Sequence, residues 1–322
     1  MSYNTMPTHK PRLLFMGTPA YALTTLQALV EEGHQVTGVF TQPDKPSGRG
    51  QKINPPACAV YAKEMGLPLF QPKTLKEASI IQTIQDLKPD LIVVVAYGLL
   101  LPQAVLDTPA IDTINLHASL LPKYRGAAPI QWALINGESQ TGVTLMQMNA
   151  QMDAGDIYCQ KIIDIKPDDN EASLFKKCSV AGTALLLENL NLLCEKKLKA
   201  SPQNKDQVTY ARLLKKEDGL INFDESAIKI NQLIKGLSSW PVAHTFIDNK
   251  GLKIYDAQVS DQQTSSPAGE VFKADSMGFY VACGTGVLLV KEVGLEGKNR
   301  MKAGDFAKGY LRQLPVRLGK NL

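Results

Sequence analysis

The sequence is poor in cysteine, histidine and tryptophan, and it has no long apolar run. Among 322 residues there are 5 Cys, 4 His and 2 Trp. The cysteines (Cys58, Cys159, Cys178, Cys194, Cys283) are scattered, odd in number and without a C-x-x-C pair. That argues against a disulfide framework or a thiolate zinc site and fits a reducing, cytoplasmic setting. The histidines show no metal-ligand spacing, so no metal is expected. No stretch reaches the roughly 18 apolar residues of a membrane span. The first residues, MSYNTMPTHK, lack the apolar segment of a secretory signal, so none is expected. Several motifs are also missing. FMGTPAYA has one glycine where a dinucleotide fingerprint needs three, and there is no Walker-type loop, no G-x-S-x-G elbow and no cysteine with an evident histidine partner.

What is present describes a globular chain, 44% hydrophobic and 20% charged, long enough for two domains. The net charge of +4 is unevenly placed. Residues 1–210 carry 19 basic and 19 acidic residues, whereas residues 211–322 carry 16 and 12. Lys298, Arg300, Lys302, Lys308, Arg312, Arg317 and Lys320 face a single acidic residue, Asp305, over 298–322. A basic tail on a neutral body points to an anionic partner, nucleic acid first among them.

The first part alternates strand and helix patterns. RLLFMG (12–17), HQVTGVFTQ (34–42), LPLF, LIVVVAY (91–97), DTINLH (112–117) and TGVTLMQM (141–148) read as strands. LIVVVAY is a continuous, largely β-branched run of the kind covered on both faces of a parallel sheet. The order predicts an α/β fold with a doubly wound, mostly parallel, Rossmann-like sheet over 1–194, with YCQKIIDI (158–165) pairing beside it and a long helix from about Glu171. Polar EKKLKASPQNKDQ opens a linker placed at 195–209. Beyond it, over 210–322, Ile230, Leu233, Ile234 and Leu237 mark an amphipathic helix. Five short strands with turn signals predict a small antiparallel, OB-like β-barrel. Trp240, in SSWPVAHTF, is expected in core or interface packing of this second domain.

The chemistry gathers in INLHASLLPKYRGAAP (114–129). Asn115 and His117 are two apart at a strand end, so both side chains point to one face. Open α/β sheets bind ligands at the carboxyl ends of their strands. AYGLLLP (96–102) and MDAGD (152–156) are expected at neighbouring ends, which brings an amide, an imidazole and a carboxylate together. Without a nucleophile or metal, such a set acts by positioning and electrostatics, and it suits acyl transfer to an amine.

At these residues the chain resembles the formyltransferases that use 10-formyltetrahydrofolate. The resemblance rests on INLHASLLPKYRGAAP with MDAGD downstream and implies Asn115, His117 and Asp153 as catalytic residues, Asp156 being a structural loop carboxylate. It also implies Ser119, Leu120, Leu121 and Pro122 against the folate, and Tyr97, Gly98 and Leu100 around the pterin. FTQPDKPSGRGQKINPPACAVYAKEMGLPLFQP (40–72) and YRGAAPIQWALINGE are similar to the branch of that family whose acceptor is initiator methionyl-tRNA, a resemblance that extends over nearly the whole chain. On that implication a single copy acts, with the barrel on the tRNA. Lys45, Arg49 and Lys52, in the Gly- and Pro-containing loop 44–52, are then expected at tRNA phosphates, as are Lys302, Lys308 and Arg312 of the tail. Lys123 and Arg125 could extend the basic path. Two other readings stay open at this point: formylation of a small amine, such as a nucleotide sugar or glycinamide ribotide, and a non-catalytic RNA-binding α/β protein.

Overall fold

The structure, a computed structural model, describes residues 10–47 and 52–319. The chain forms two compact units. One comprises Met1–Gly126, Gln140–Asp164 and Phe175–Tyr210, and the other Ala127–Ser139, Ile165–Leu174 and Ala211–Leu322.

Residues up to 194 run as β1 (Arg12–Gly17), α1 (Ala20–Glu31), β2 (Gln35–Phe40), a ribbon of β3 (Lys45–Ser47) and β4 (Lys52–Asn54), α2 (Ala57–Glu64), β5 (Leu69–Phe70), α3 (Ala78–Asp86), β6 (Leu91–Val95), α4 (Gln103–Leu106), β7 (Asp112–His117), β8 (Arg125–Gly126), α5 (Pro129–Ile135), β9 (Gln140–Gln147), β10 (Ile157–Asp164) and α6 (Glu171–Cys194). The main sheet has the order β10-β9-β7-β6-β1-β2-β5. Strands β1, β2, β5, β6 and β7 are parallel. The chain begins centrally in β1, moves outward through β2 and β5, then returns to β6 and β7 on the other side. That reversal opens a crevice between the carboxyl ends of β1 and β6, where doubly wound sheets take their ligands. All five residues of β6, LIVVV, are buried, as a strand covered on both faces requires.

One strand departs from the expected direction. β9 is antiparallel to β7, with Asn115 opposite Met146 and His117 opposite Thr144, and β10 is antiparallel to β9. A buried apolar run carries no mark of direction, so TGVTLMQM reads alike either way.

The second unit holds α5, with β11 (Tyr210–Ala211) beginning at its border, then α7 (Ala227–Gly236), β12 (His244–Ile247), β13 (Lys250–Ser260), β14 (Glu270–Asp275), β15 (Gly278–Ala282), β16 (Val287–Leu295), β17 (Met301–Lys302), α8 (Ala303–Tyr310) and β18 (Val316–Arg317). Its antiparallel sheet runs β12-β13-β16-β15-β14-β18, with β17 on β16. Register shifts between Ile254 and Ala257 bend the long β13, the means by which a sheet curls towards a barrel. Ser226 Oγ accepts the Lys229 N–H to cap α7. The predicted stripe of Ile230, Leu233 and Ile234 meets Phe279, Val290 and Phe306 in the barrel core. The fourth member, Leu237, joins Trp132 and Ile135 of α5.

The described part of the basic tail, residues 298–319, is folded. Ala303, Phe306, Ala307 and Leu311 enter the same core, so α8 is a structural element whose outer face carries the charges. Trp240 is 55% exposed, which corrects the expectation of core packing. Among the described residues no helix is long and apolar enough to cross a membrane.

Candidate active site

Every residue of this site belongs to the first unit. β7 ends at His117, which is 6% exposed. Its Nε2 lies 2.9 Å from the Tyr124 carbonyl. A carbonyl can only accept, so Nε2 carries the hydrogen. Nδ1 is left facing Asp153, 3.6 Å from Oδ2. That separation is an ion-pair distance, longer than a hydrogen bond. The same Asp153 oxygen accepts the Gly126 N–H at 2.8 Å. Asn115, two residues back on β7, is partly exposed, and its amide has no hydrogen-bond partner among the described residues. Asp156 sits further along the loop, where its carbonyl accepts the Gln147 N–H at 2.9 Å.

The loop carrying Asp153 does not follow a parallel strand, as the sequence reading assumed. It leaves β9 beside Thr113, where the Met148 N–H donates to the Thr113 carbonyl, and folds back to bring its carboxylate to His117. Gly155 makes the fold-back possible: a Cβ there would lie 2.0 Å from the Gln147 carbonyl oxygen.

Several residues around the site hold left-handed backbone angles: Ala96 (φ 45°), Gly98 (φ 82°), Tyr124 (φ 61°) and Asp153 (φ 50°). For a non-glycine residue this conformation costs about 1 to 2 kcal/mol, and it persists where surrounding structure over-determines it. At Gly98 a Cβ would also stand 2.2 Å from Gln42 Nε2. Gln42 Nε2 and Thr18 Oγ1 both donate to the Tyr97 carbonyl, at 3.2 and 2.8 Å, which fixes this loop against the end of β1. The Tyr97 side chain is buried in the core, whereas Leu100 is 75% exposed. The loop therefore presents backbone and one apolar side chain.

The Ser119–Pro122 segment is similarly fixed. Ser119 is fully buried, with Oγ donating to the Lys123 carbonyl at 2.7 Å. Thr144 Oγ1 donates to the Ser119 carbonyl, and the Leu121 N–H donates to Thr144 Oγ1. Gln160 Nε2 caps the Leu121 carbonyl at 2.9 Å. Leu120 packs on Gly142 of β9, and the Leu121–Pro122 peptide is cis.

No thiol competes as a nucleophile among those with a shifted pKa. Burial pushes Cys58 up to about 12 and Cys159, Cys194 and Cys283 up to about 11. A surface depression lined by Lys88, Asp90, Asp107 and Thr108 lies by the amino ends of β6 and β7 and shares none of these groups.

Sequence reasoning missed one member of this network. Gln203, in the presumed linker, is 8% exposed, and its amide bonds both the Asp153 loop and Arg125. Nearby, Ser201 exchanges two backbone hydrogen bonds with Ile157, so this part of the segment is tied to the sheet edge. A glutamine in a polar stretch gives no signal by itself; only its place between two motif loops marks it.

The other predicted basic residues fall elsewhere. In the first unit, Lys45 lies on β3 with Nζ 2.5 Å from Gln42 Oε1, Lys52 lies on β4, and Arg49 is outside the described residues. In the second unit, Lys302, Lys308 and Arg312 are exposed on or beside α8, with Lys308 paired to Asp305 at 2.9 Å.

A doubly wound sheet that sets a carboxylate-backed histidine and an open amide at one strand end is suited to group transfer. The chain belongs to the formyl transferase family: the formyl transferase model matches residues 11–190 and its C-terminal domain model residues 213–311. It is similar to the methionyl-tRNA formyltransferase of Geobacter sulfurreducens, 43% identical over 96% of this chain and 97% of that one. The enzyme of the same name from Geotalea uraniireducens is 45% identical over 93% and 95%. Among solved structures, HypX from Aquifex aeolicus in complex with tetrahydrofolic acid matches with a TM-score of 0.66 at 17% identity, over 95% of this chain and 48% of that one. An N-formyltransferase from Helicobacter canadensis, in complex with folinic acid and dTDP-3-aminofucose, matches with a TM-score of 0.66 at 18% identity, over 87% and 98%. The last two likenesses speak to the fold alone.

Proposed function

We propose that this protein transfers the formyl group of 10-formyltetrahydrofolate to the α-amine of methionine esterified to initiator tRNA, giving N-formylmethionyl-tRNA. The observation that carries the reading is His117 held between the Tyr124 carbonyl and Asp153, beside the open Asn115 amide, in a chain of this family. In the reaction the amine nitrogen bonds the formyl carbon, the bond from that carbon to the folate nitrogen breaks, and the proton lost by the amine ends on the folate nitrogen. Asn115 is assigned to donate to the formyl oxygen as negative charge develops on it, the task of an oxyanion hole, and His117, whose ring nitrogens face the Tyr124 carbonyl and Asp153, to stabilise that charge as an imidazolium. Asp153 holds the imidazole and supports its charged form during proton movement. Tyr97, Gly98 and Leu100, with Ser119 to Pro122, are assigned to the folate. Backbone in fixed loops and the exposed Leu100 suit a flat heteroaromatic ring with hydrogen-bonding edges.

We assign residues 1–194 to catalysis, 195–209 to the connection and 210–322 to tRNA, with Lys45, Arg49, Lys52, Lys302, Lys308 and Arg312 at phosphates, in a single copy acting in the cytoplasm. Relatives above 40% identity carry the methionyl-tRNA name, and this favours tRNA over an amino sugar as acceptor. The test is a formyl-transfer assay with 10-formyltetrahydrofolate, offering methionyl-tRNA against dTDP-3-aminofucose and glycinamide ribotide. Transfer to methionyl-tRNA alone is expected; preferential transfer to a small amine would overturn the reading.

A further inference from the structure

We infer that Gln203 is a positioning residue for the His117–Asp153 pair; the inference rests on the catalytic role proposed above for that pair. His117 is gripped from two sides by separate pieces of chain. Tyr124 supplies the carbonyl at Nε2, and Asp153 supplies the carboxylate at Nδ1. Neither piece is held by a long run of regular structure: β8 is two residues long, and the Asp153 loop stands between β9 and β10. Besides the Gly126 N–H that donates to Asp153 Oδ2, the Gln203 side chain joins them. Gln203 Nε2 donates to the Asp153 carbonyl at 2.9 Å and to the Gly155 carbonyl at 2.7 Å. Gln203 Oε1 accepts from Arg125 Nε at 3.1 Å and from Arg125 Nη2 at 2.7 Å.

All the polar capacity of the amide that these loops can use is therefore engaged, two donors on one loop and the acceptor on the other. Burial makes those bonds directional constraints, because no water can replace them cheaply. The residue also stands on a fixed base. Ser201 is paired to Ile157, and Thr209 pins the far side by taking the Arg125 N–H on its carbonyl and the Tyr124 N–H on Oγ1. The segment 201–209 thus acts as a strap across the two loops, with Gln203 as its buckle. The same geometry engages Arg125 Nε and Nη2 in the clamp.

A positioning role separates from plain stability through its dependence on Asp153. Gln203→Met keeps the length and shape of the side chain and deletes the hydrogen bonds; Gln203→Glu keeps the acceptor for Arg125 and deletes both donations. We expect each to lower kcat for formyl transfer to methionyl-tRNA by roughly 10- to 100-fold, the scale of a misplacement of about 1 Å in a catalytic group, with the KM for 10-formyltetrahydrofolate changed less than about threefold. In an Asp153→Ala background the further loss from Gln203→Met should shrink to about threefold or less, because the group being positioned is gone. Wild-type kcat in Gln203→Met, or an equal fold-loss with and without Asp153, would overturn the inference while leaving the catalytic reading intact. Wild-type kcat in Asp153→Ala alone would remove the catalytic reading and this inference with it.

Discussion

The histidine end of β7 and the outer face of α8 hold polar side chains in opposite ways. At the end of β7 two polar groups are buried or half-buried and tied to named partners, His117 to Tyr124 and Asp153, and Asp153 to Gly126, with the Asn115 amide left open. On α8 the charges stand in solvent, and the closest pairing, Lys308 with Asp305, involves two exposed side chains. Buried, preorganised dipoles act strongly at short range in low dielectric, as bond making requires. Exposed charges act over about a Debye length and are screened by salt, which suits capture of a long polyanion. The difference fits the division of labour proposed above, in which one region would set the rate of the chemical step and the other the residence of the tRNA.

The comparison can be broken most severely at the histidine. His117→Ala and Asp153→Ala should each slow formyl transfer by about 10²-fold or more while leaving the melting temperature near wild type, read by steady-state kinetics with thermal unfolding alongside. Asn115→Ala should also fall mainly on kcat, by roughly 10²-fold, because an amide aimed at a developing oxyanion binds the transition state more tightly than the ground state. A rise only in the KM for folate would make Asn115 a binding residue. The tail should respond differently. Neutralising Lys302, Lys308 and Arg312 together should weaken tRNA binding and lower the log–log salt slope by about 2, each phosphate contact contributing roughly 0.7 to 0.9; folate affinity should not change.

The smallest effect concerns stability alone. Arg212 makes a two-pronged pair with Asp218, from Nη1 to Oδ2 at 2.8 Å and from Nη2 to Oδ1 at 2.5 Å, and this hydrogen bonding holds the Asp218 carboxyl below the usual carboxylate range. A depressed carboxyl adds stability above its unfolded pKa of about 4 and loses it as pH falls through the lower folded value. Asp218→Asn should therefore cost about 1 kcal/mol at pH 7 and progressively less below pH 4, followed by urea unfolding across that range.

Much of this was legible in the sequence, where pattern and function coincide. LIVVV marked the buried β6, the Ile230–Leu237 stripe marked α7, and the N-x-H spacing put Asn115 and His117 on one strand, 115 facing Met146 and 117 facing Thr144 across β9. Three features did not show. The direction of β9 is invisible because burial on both faces erases any polarity of pattern. α8 was hidden by its own charges: Ala303, Phe306, Ala307 and Leu311 have helical spacing, but Gly304, Gly309 and the flanking lysines read as a tail. Gln203 was hidden because a buried amide is recognised by its partners, 48 to 78 residues away in the chain, and not by its neighbours.

The most direct test of the division of labour is single-turnover formyl transfer at saturating methionyl-tRNA and saturating 10-formyltetrahydrofolate, comparing Asp153→Ala with the variant neutralised at Lys302, Lys308 and Arg312. The account predicts that saturation restores the tail variant to the wild-type rate and leaves Asp153→Ala slower by about 10²-fold. A tail variant that stays slow at saturation, or an Asp153→Ala enzyme that recovers there, would contradict it.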